Sequence, residues 1–484
     1  MKTEKLQLKN SYLTLPEVFY TKVAPTPVTA PRLVVFNKDL ADELGLELSS
    51  LSTEEQTKLF AGNTLPPDAK PLAQAYAGHQ FGHFTMLGDG RAHLLGEQIT
   101  PDGNRYDIQL KGSGRTPYSR GGDGRAVLGP MLREYLIAEA MAALGIPTTR
   151  SLAVVTSGEP VHRETLLQGA ILTRIASSHL RVGTFQYARG QQDAAALQAL
   201  LDYTIDRHDP ELKNAGNPAL ALLEAVMHRQ ADLITHWMRV GFIHGVMNTD
   251  NMALSGETID YGPCAFMDAY DPGTVFSSID TVGRYAYAQQ PGIAAWNLAR
   301  LAEALLPLIA DEPSEAVELA EKLVNTFADV YRERWLNMMR SKLGLFGTDE
   351  NDYILITDLL SWMKKNHADY TNTFRGLTHD ESPAGPPYGC KAFTAWHDRW
   401  QARLEQNDQP LESAKELMRR TNPAVIPRNH KVEEALAAAT DGDLKPFHNL
   451  HSALQSPYEE REGLAPYQSP PESSERVYQT FCGT

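Results

Sequence analysis

The stretch HGVMNTDNMALSGETIDYGP, residues His244 to Pro263, gathers side chains suited to chemistry on a charged substrate. Asn251 and Asp260 offer the oxygen donors that Mg²⁺ takes, and Mg²⁺ commonly accepts one or two protein ligands while waters and phosphate oxygens complete its shell. His244 reads as a ring that holds the loop through hydrogen bonds rather than one that reacts. Upstream, GDGRA occurs twice, at Gly88 to Ala92 and at Gly122 to Ala126. The glycines let a phosphate approach the backbone closely and the arginine adds charge, although two solvent-exposed turns account equally for the spacing.

These residues follow a known order. In protein kinases a glycine-rich turn between strands covers the phosphates, a strand Lys pairs with them and with a helix Glu, and an Asn and an Asp hold metal. Here Gly88-Asp89-Gly90-Arg91, then Lys111 at the end of RYDIQLK, then Glu134 or Glu139, then Asn251 and Asp260 fill the slots. Helical periodicity places Glu139 within the apolar stripe and Glu134 off it, so spacing favours Glu139 as the partner of Lys111. One slot is wrong for a kinase: the place of the catalytic Asp holds Val246, a hydrocarbon. Neither a G-x-x-x-x-G-K-[ST] P-loop nor a G-x-G-x-x-G fingerprint occurs.

The elements that must position these groups divide along the chain. Candidate strands are HLLGEQI, RYDIQLK, LAVVTS and ILTRIA, interrupted by a helix from Leu128 to Leu144 that Gly145 and Pro147 stop. From about residue 191 the pattern turns helical. Strands first and helices after predict an α+β, two-lobed arrangement: an N-terminal extension over 1–83, a sheet-rich lobe over 84–190, a helical lobe over 191–455 and a surface tail over 456–484. With 484 residues, 42% hydrophobic and 22% charged, the chain can build a large core. Its formal charge of -15 disfavours a general nucleic-acid surface, so any phosphate site must be local. Cys264, Cys390 and Cys482 are too few for a disulfide framework and fit a reducing, cytoplasmic setting; no segment reads as a transmembrane span.

The strings YAGHQFGHF, LGDGR, QLKGSGRTPYSRGGDGRAVL, REYLIAEAM, LGIPTTRSLAVVTS, SSHLRVGTF, HGVMNTDNM and DYGP resemble the selenoprotein O family of protein adenylyltransferases, a pseudokinase lineage. The resemblance implies a protein-kinase-like fold that holds ATP flipped, so that the α-phosphate faces the acceptor and AMP passes to a protein hydroxyl with release of pyrophosphate. It implies Asp250 as proton acceptor, Asn251 and Asp260 as ligands of Mg²⁺ or Mn²⁺, and a nucleotide pocket of Gly88, Gly90, Arg91, Lys111, Asp123, Gly124, Arg174, Arg181 and Asp260. It favours Glu134 over Glu139. Val246 then loses its importance, and the basic residues gain a purpose as receivers of the β- and γ-phosphates. UTP as an alternative donor, a small-molecule phosphotransferase and a catalytically inactive nucleotide-binding scaffold are the competing readings. Cys482 stands where animal members of the family carry selenocysteine, and a disulfide to Cys264 is a further expectation.

Overall fold

The structure, a computed structural model, describes residues 8–379, 383 and 385–481. Eight short strands form one antiparallel sheet: β1 (Tyr20–Lys22), β2 (Arg32–Phe36), β3 (Leu72–Gln74), β6 (Ala92–Ile99), β7 (Arg105–Lys111), β8 (Ala126–Val127), β9 (Arg150–His162) and β10 (Leu166–Ala176). Their order is β1-β3-β6-β7-β10-β9-β2, with β8 alongside β10. Two strands lie outside it as a separate hairpin, β4 (Ala77–Gln80) and β5 (His83–Met86). β1, β2 and β3 belong to the stretch expected as an extension before residue 83. At three to five residues, and set among prolines, they carry too little periodicity to be read as strands.

The continuous apolar run in β9 follows from cover on both faces. Val154 joins the core that contains α3 (Leu128–Ala143), while Val155 joins a second core built with Leu40 of α1 (Lys38–Glu43) and Phe60 of α2 (Thr53–Phe60). α3 ends where Gly145 takes φ +69.

After β10 the chain is helical. α4 (Val182–Gly190) and α5 (Ala194–His208) lead to α6 (Pro218–Val240), which Asn217 caps through the Leu220 N–H and Gly241 ends at φ +74. A two-stranded ladder, β11 (Phe242–Ile243) with β12 (Ala265–Phe266), brackets the loop that carries the candidate chemistry. α7 (Gln290–Ile309) packs on α4, α6 and the helix Pro313–Val324. Extended back to Tyr287, it is long and apolar enough by length and composition to cross a membrane, contrary to the sequence expectation. Its packing against three helices makes it a core helix here. The tail is tied down at intervals, Tyr458 donating to the Leu144 carbonyl (2.9 Å) and the Thr480 hydroxyl to the Pro263 carbonyl (2.6 Å).

Candidate active site

Lys111, at the end of β7, reaches the carboxylate of Glu134 on α3 (Nζ–Oε2 2.6 Å) and that of Asp260 (Nζ–Oδ1 2.7 Å). Arg174, one strand over on β10, donates to Glu134 Oε1 from Nε (2.9 Å) and Nη2 (2.5 Å), and Nη2 also meets Asp260 Oδ1. Arg181, just before α4, donates from Nη1 to Asp260 Oδ2 (3.1 Å) and to the Asp250 carbonyl (2.9 Å), its guanidinium lying 4.6 Å from the Tyr76 ring centroid. Three cations from three elements therefore converge on Asp260. Burial opposes ionisation of that carboxyl, but Arg174, Lys111 and Arg181 prevail and hold it well below the usual range.

Glu139, the partner that periodicity favours, is not in this cluster. It accepts from Arg150 Nη2 (2.7 Å), from Asn37 Nδ2 (2.8 Å) and from the Ser151 N–H (2.9 Å), fastening α3 to the far end of β9. Glu134 is 2% exposed although it lies off the apolar stripe, because α3 is covered nearly all round and its burial is balanced by Lys111 and Arg174. A hydrophobic stripe cannot mark a face that is buried by ion pairing.

The loop after β11 brings Val246, Asp250 and Asn251 together. His244 acts as the sequence suggests: its Nε2 bonds to the Ile259 carbonyl (2.9 Å), while its N–H donates to Gln290 Oε1 (3.0 Å). Asn251 Nδ2 donates to the Val246 carbonyl (3.0 Å), which leaves the amide oxygen as its remaining ligand atom. Asp260 adopts φ +62, a conformation uncommon outside glycine. Asp250 is 7% exposed, and its Oδ1 is buried with no hydrogen-bond partner. Desolvation pushes its carboxyl up to about 6, with Arg181 opposing.

The two GDGR turns do not form an open cradle. A Cβ on Gly88, at φ +130, would lie 2.5 Å from the Tyr118 ring, and one on Gly90 would lie 2.9 Å from the Tyr118 carbonyl. The close approach expected of a phosphate is thus taken by residues 116–119, with the Thr116 hydroxyl bonded to the Asp89 carbonyl (2.6 Å). Sequence spacing had no means of showing that the segment between the two copies folds back over the first. Gly124 packs on Gly114, and Asp123 accepts from Arg163 (2.8 Å) and the Arg125 N–H (2.9 Å), which lowers its carboxyl. Arg91 is half-buried on the strand side of the first turn.

Sequence reasoning missed the β4–β5 hairpin, whose signal was the string YAGHQFGHF. Its backbone is pinned to the catalytic loop by the His79 N–H to the Thr249 hydroxyl (2.7 Å) and the Phe81 N–H to Asn248 Oδ1 (3.0 Å). Thr249 donates on to Gln186 Oε1 (2.6 Å), and Gln186 Nε2 returns to His79 Nδ1 (2.8 Å). Gly78 faces Asp250 so closely that a Cβ there would sit 2.3 Å from Oδ1.

A family model described as protein adenylyltransferase SelO matches residues 2–455. The chain belongs to that family. Proteins named protein nucleotidyltransferase YdiU are similar to it throughout: 61% identical in Nitrosococcus oceani over 98% of this chain and 97% of the relative, 59% in Syntrophotalea carbinolica over the same shares, and 58% in Bacillus thuringiensis over 99% and 98%. This SelO-family chain is accordingly a nucleotidyltransferase, with a mixed α/β structure of antiparallel sheet and helical C-terminal part. The disulfide expected between Cys482 and Cys264 lies outside the described residues. Thr480 bonds to Pro263, the neighbour of the buried Cys264.

Proposed function

We infer that this SelO-family enzyme transfers AMP from ATP to hydroxyl side chains of proteins, within a kinase-like pair of lobes, with the triphosphate flipped so that Pα faces the acceptor. The observation that carries the reading is Asp250: a buried carboxylate whose Oδ1 has no partner, held at about 6, on the same loop as a Val246 that cannot take a proton. A general base with a pKa just below neutrality is largely ionised at pH 7 and still basic enough to accept.

In this scheme the acceptor hydroxyl donates its proton to Asp250 as its oxygen bonds to Pα. The Pα–O bond to the β-phosphate breaks, and pyrophosphate leaves with the electron pair. Lys111, Arg174 and Arg181, which close on Asp260 in this structure, supply the positive charge for the β- and γ-phosphates. Asn251 and Asp260 provide an oxygen-only donor pair, the set a hard divalent cation such as Mg²⁺ or Mn²⁺ takes. Among the described residues no cluster of three or more acidic, His or Cys side chains could hold such an ion, so waters and phosphate oxygens would complete its shell. When bound, the ion neutralises charge developing on the transferred group. Gly88, Gly90, Arg91, Asp123 and Gly124 border the nucleotide.

Incubation with α-³²P-ATP and metal is expected to label protein, γ-³²P-ATP is not, and Asp250→Ala abolishes the α-label. Label from the γ-phosphate alone overturns the reading in favour of a phosphotransferase; label from neither, with ATP bound, favours a scaffold.

A further inference from the structure

The β4–β5 hairpin stands directly over the proposed base, and its outer edge is open. β5 pairs with β4 and with no other strand among the described residues. Leu87 N–H bonds to the Tyr76 carbonyl (2.9 Å), which fixes the alternation: the main-chain groups of Phe84 and Met86 point away from β4, outward. Both side chains are exposed, Phe84 at 50% and Met86 at 48%. An exposed edge with apolar side chains is a template for another strand.

The two faces of the hairpin differ. Gly78 and Thr85 are paired and share one face, the face on which Gly78 abuts Asp250. His79 and Phe84 share the other, where the His79 ring meets Phe84 (5.3 Å) and Trp296 of α7 (5.2 Å) edge-on. Over Trp296 lie two guanidinium groups, Arg284 and Arg300, each 4.9 Å from the ring centroid, and Gly82 at the hairpin tip is close to Arg284. Arg300 Nη2 is itself paired with Glu303 Oε1 (2.6 Å), so in a chain of net charge -15 the positive charge of this rim rests on Arg284.

We propose that the acceptor protein enters as an extended segment that adds to the outer edge of β5, with an acidic side chain near its hydroxyl residue engaging Arg284. The inference rests on the adenylyl-transfer reading and deepens it. Main-chain pairing with Phe84 and Met86 supplies affinity without sequence demand. Alternation of the added strand then points every second side chain toward the face shared by Gly78 and Asp250. The added strand lies two strand spacings, about 9.6 Å, from β4, so the longest hydroxyl side chain, tyrosine, is the fitting probe. The acidic neighbour is the specific element, because a lysine in its place meets the Arg284 cation.

The test uses the full chain with α-³²P-ATP, metal and two ten-residue peptides of alternating valine and glutamine. Each carries one tyrosine, flanked by glutamate in one peptide and by lysine in the other. Expected are at least tenfold higher kcat/KM for the glutamate peptide, reversal of that preference in Arg284→Glu, and at least tenfold loss of peptide labelling in Met86→Pro with ATP affinity unchanged. Proline at Met86 removes an outward N–H while the hairpin's inner ladder stays intact. Equal labelling of both peptides, or wild-type labelling by Met86→Pro, overturns the inference. Label entering the enzyme itself or denatured proteins but neither peptide also overturns it, while leaving adenylyl transfer standing; label entering nothing sinks both.

Discussion

The substitution Gly78→Ala tests whether the hairpin positions the proposed base. A Cβ on Gly78 would lie 2.3 Å from Asp250 Oδ1, 2.8 Å from its Cγ and 2.9 Å from its Cβ, where ordinary contact begins at 3.4 Å. Relief by the carboxylate alone therefore needs a shift of about 1.1 Å. The hairpin cannot yield cheaply, because the His79 and Phe81 N–H groups are bonded to Thr249 and Asn248, and the Ala77 carbonyl is pressed against Gly183. A misplacement of about 1 Å at a reacting group costs roughly a hundredfold in rate, or about 2.7 kcal/mol of transition-state stabilisation. Gly78→Ala is thus expected to lower kcat for α-label incorporation by about two orders of magnitude, with ATP affinity by calorimetry nearly unchanged because no phosphate-facing cation moves. Thermal denaturation of the same preparation checks that the chain is folded. A kcat within threefold of wild type in a folded variant would refute the placement of Asp250 as base.

Three further outcomes are expected. Glu134→Gln removes one of the two carboxylates that Lys111 and Arg174 share, Asp260 being the other, and should cost about 1–3 kcal/mol of stability together with most activity. Glu139→Gln should lower stability by about 1–3 kcal/mol while kcat stays within threefold; denaturant melts and single-turnover labelling separate the two. Since the Asp250 carboxyl is raised to about 6 and works deprotonated, kcat should fall as pH drops through 6, an inflection that Asp250→Asn removes along with the base. Burial pushes Glu257 up to about 7, against Ser177 and Ser255, which donate to it. The unfolded chain ionises this carboxyl first, so stability should decline as pH rises from about 4.5 to about 7 and level off above it, by about 1–2 kcal/mol after allowance for partial exposure. Urea melts at pH 5 and 8.5 check this, and Glu257→Gln should flatten the difference.

The sequence by itself determined the parts whose signals are local. RYDIQLK is β7 to the residue, the helix read from Leu128 ends one residue short of Leu144, and LAVVTS and ILTRIA lie inside β9 and β10. Lys111, Asn251 and Asp260 stood out as an ordered series of motifs, Arg174 and Arg181 only through the family resemblance carried by the same strings, and the structure brings Lys111, Arg174 and Arg181 onto Asp260. Tertiary structure alone decided the rest. It assigned Glu134 rather than Glu139 to Lys111, since an ion pair can bury a helix face that hydrophobic spacing leaves polar. It folded residues 116–119 over Gly88 and Gly90, so that two identical GDGR turns have unlike surroundings. It also drew three-residue strands near the N-terminus into the main sheet and set Gly78 on Asp250, although 172 positions separate them in the chain. Contacts of that range depend on which surfaces are left to cover once the local elements have formed, and no window of neighbouring residues contains that information.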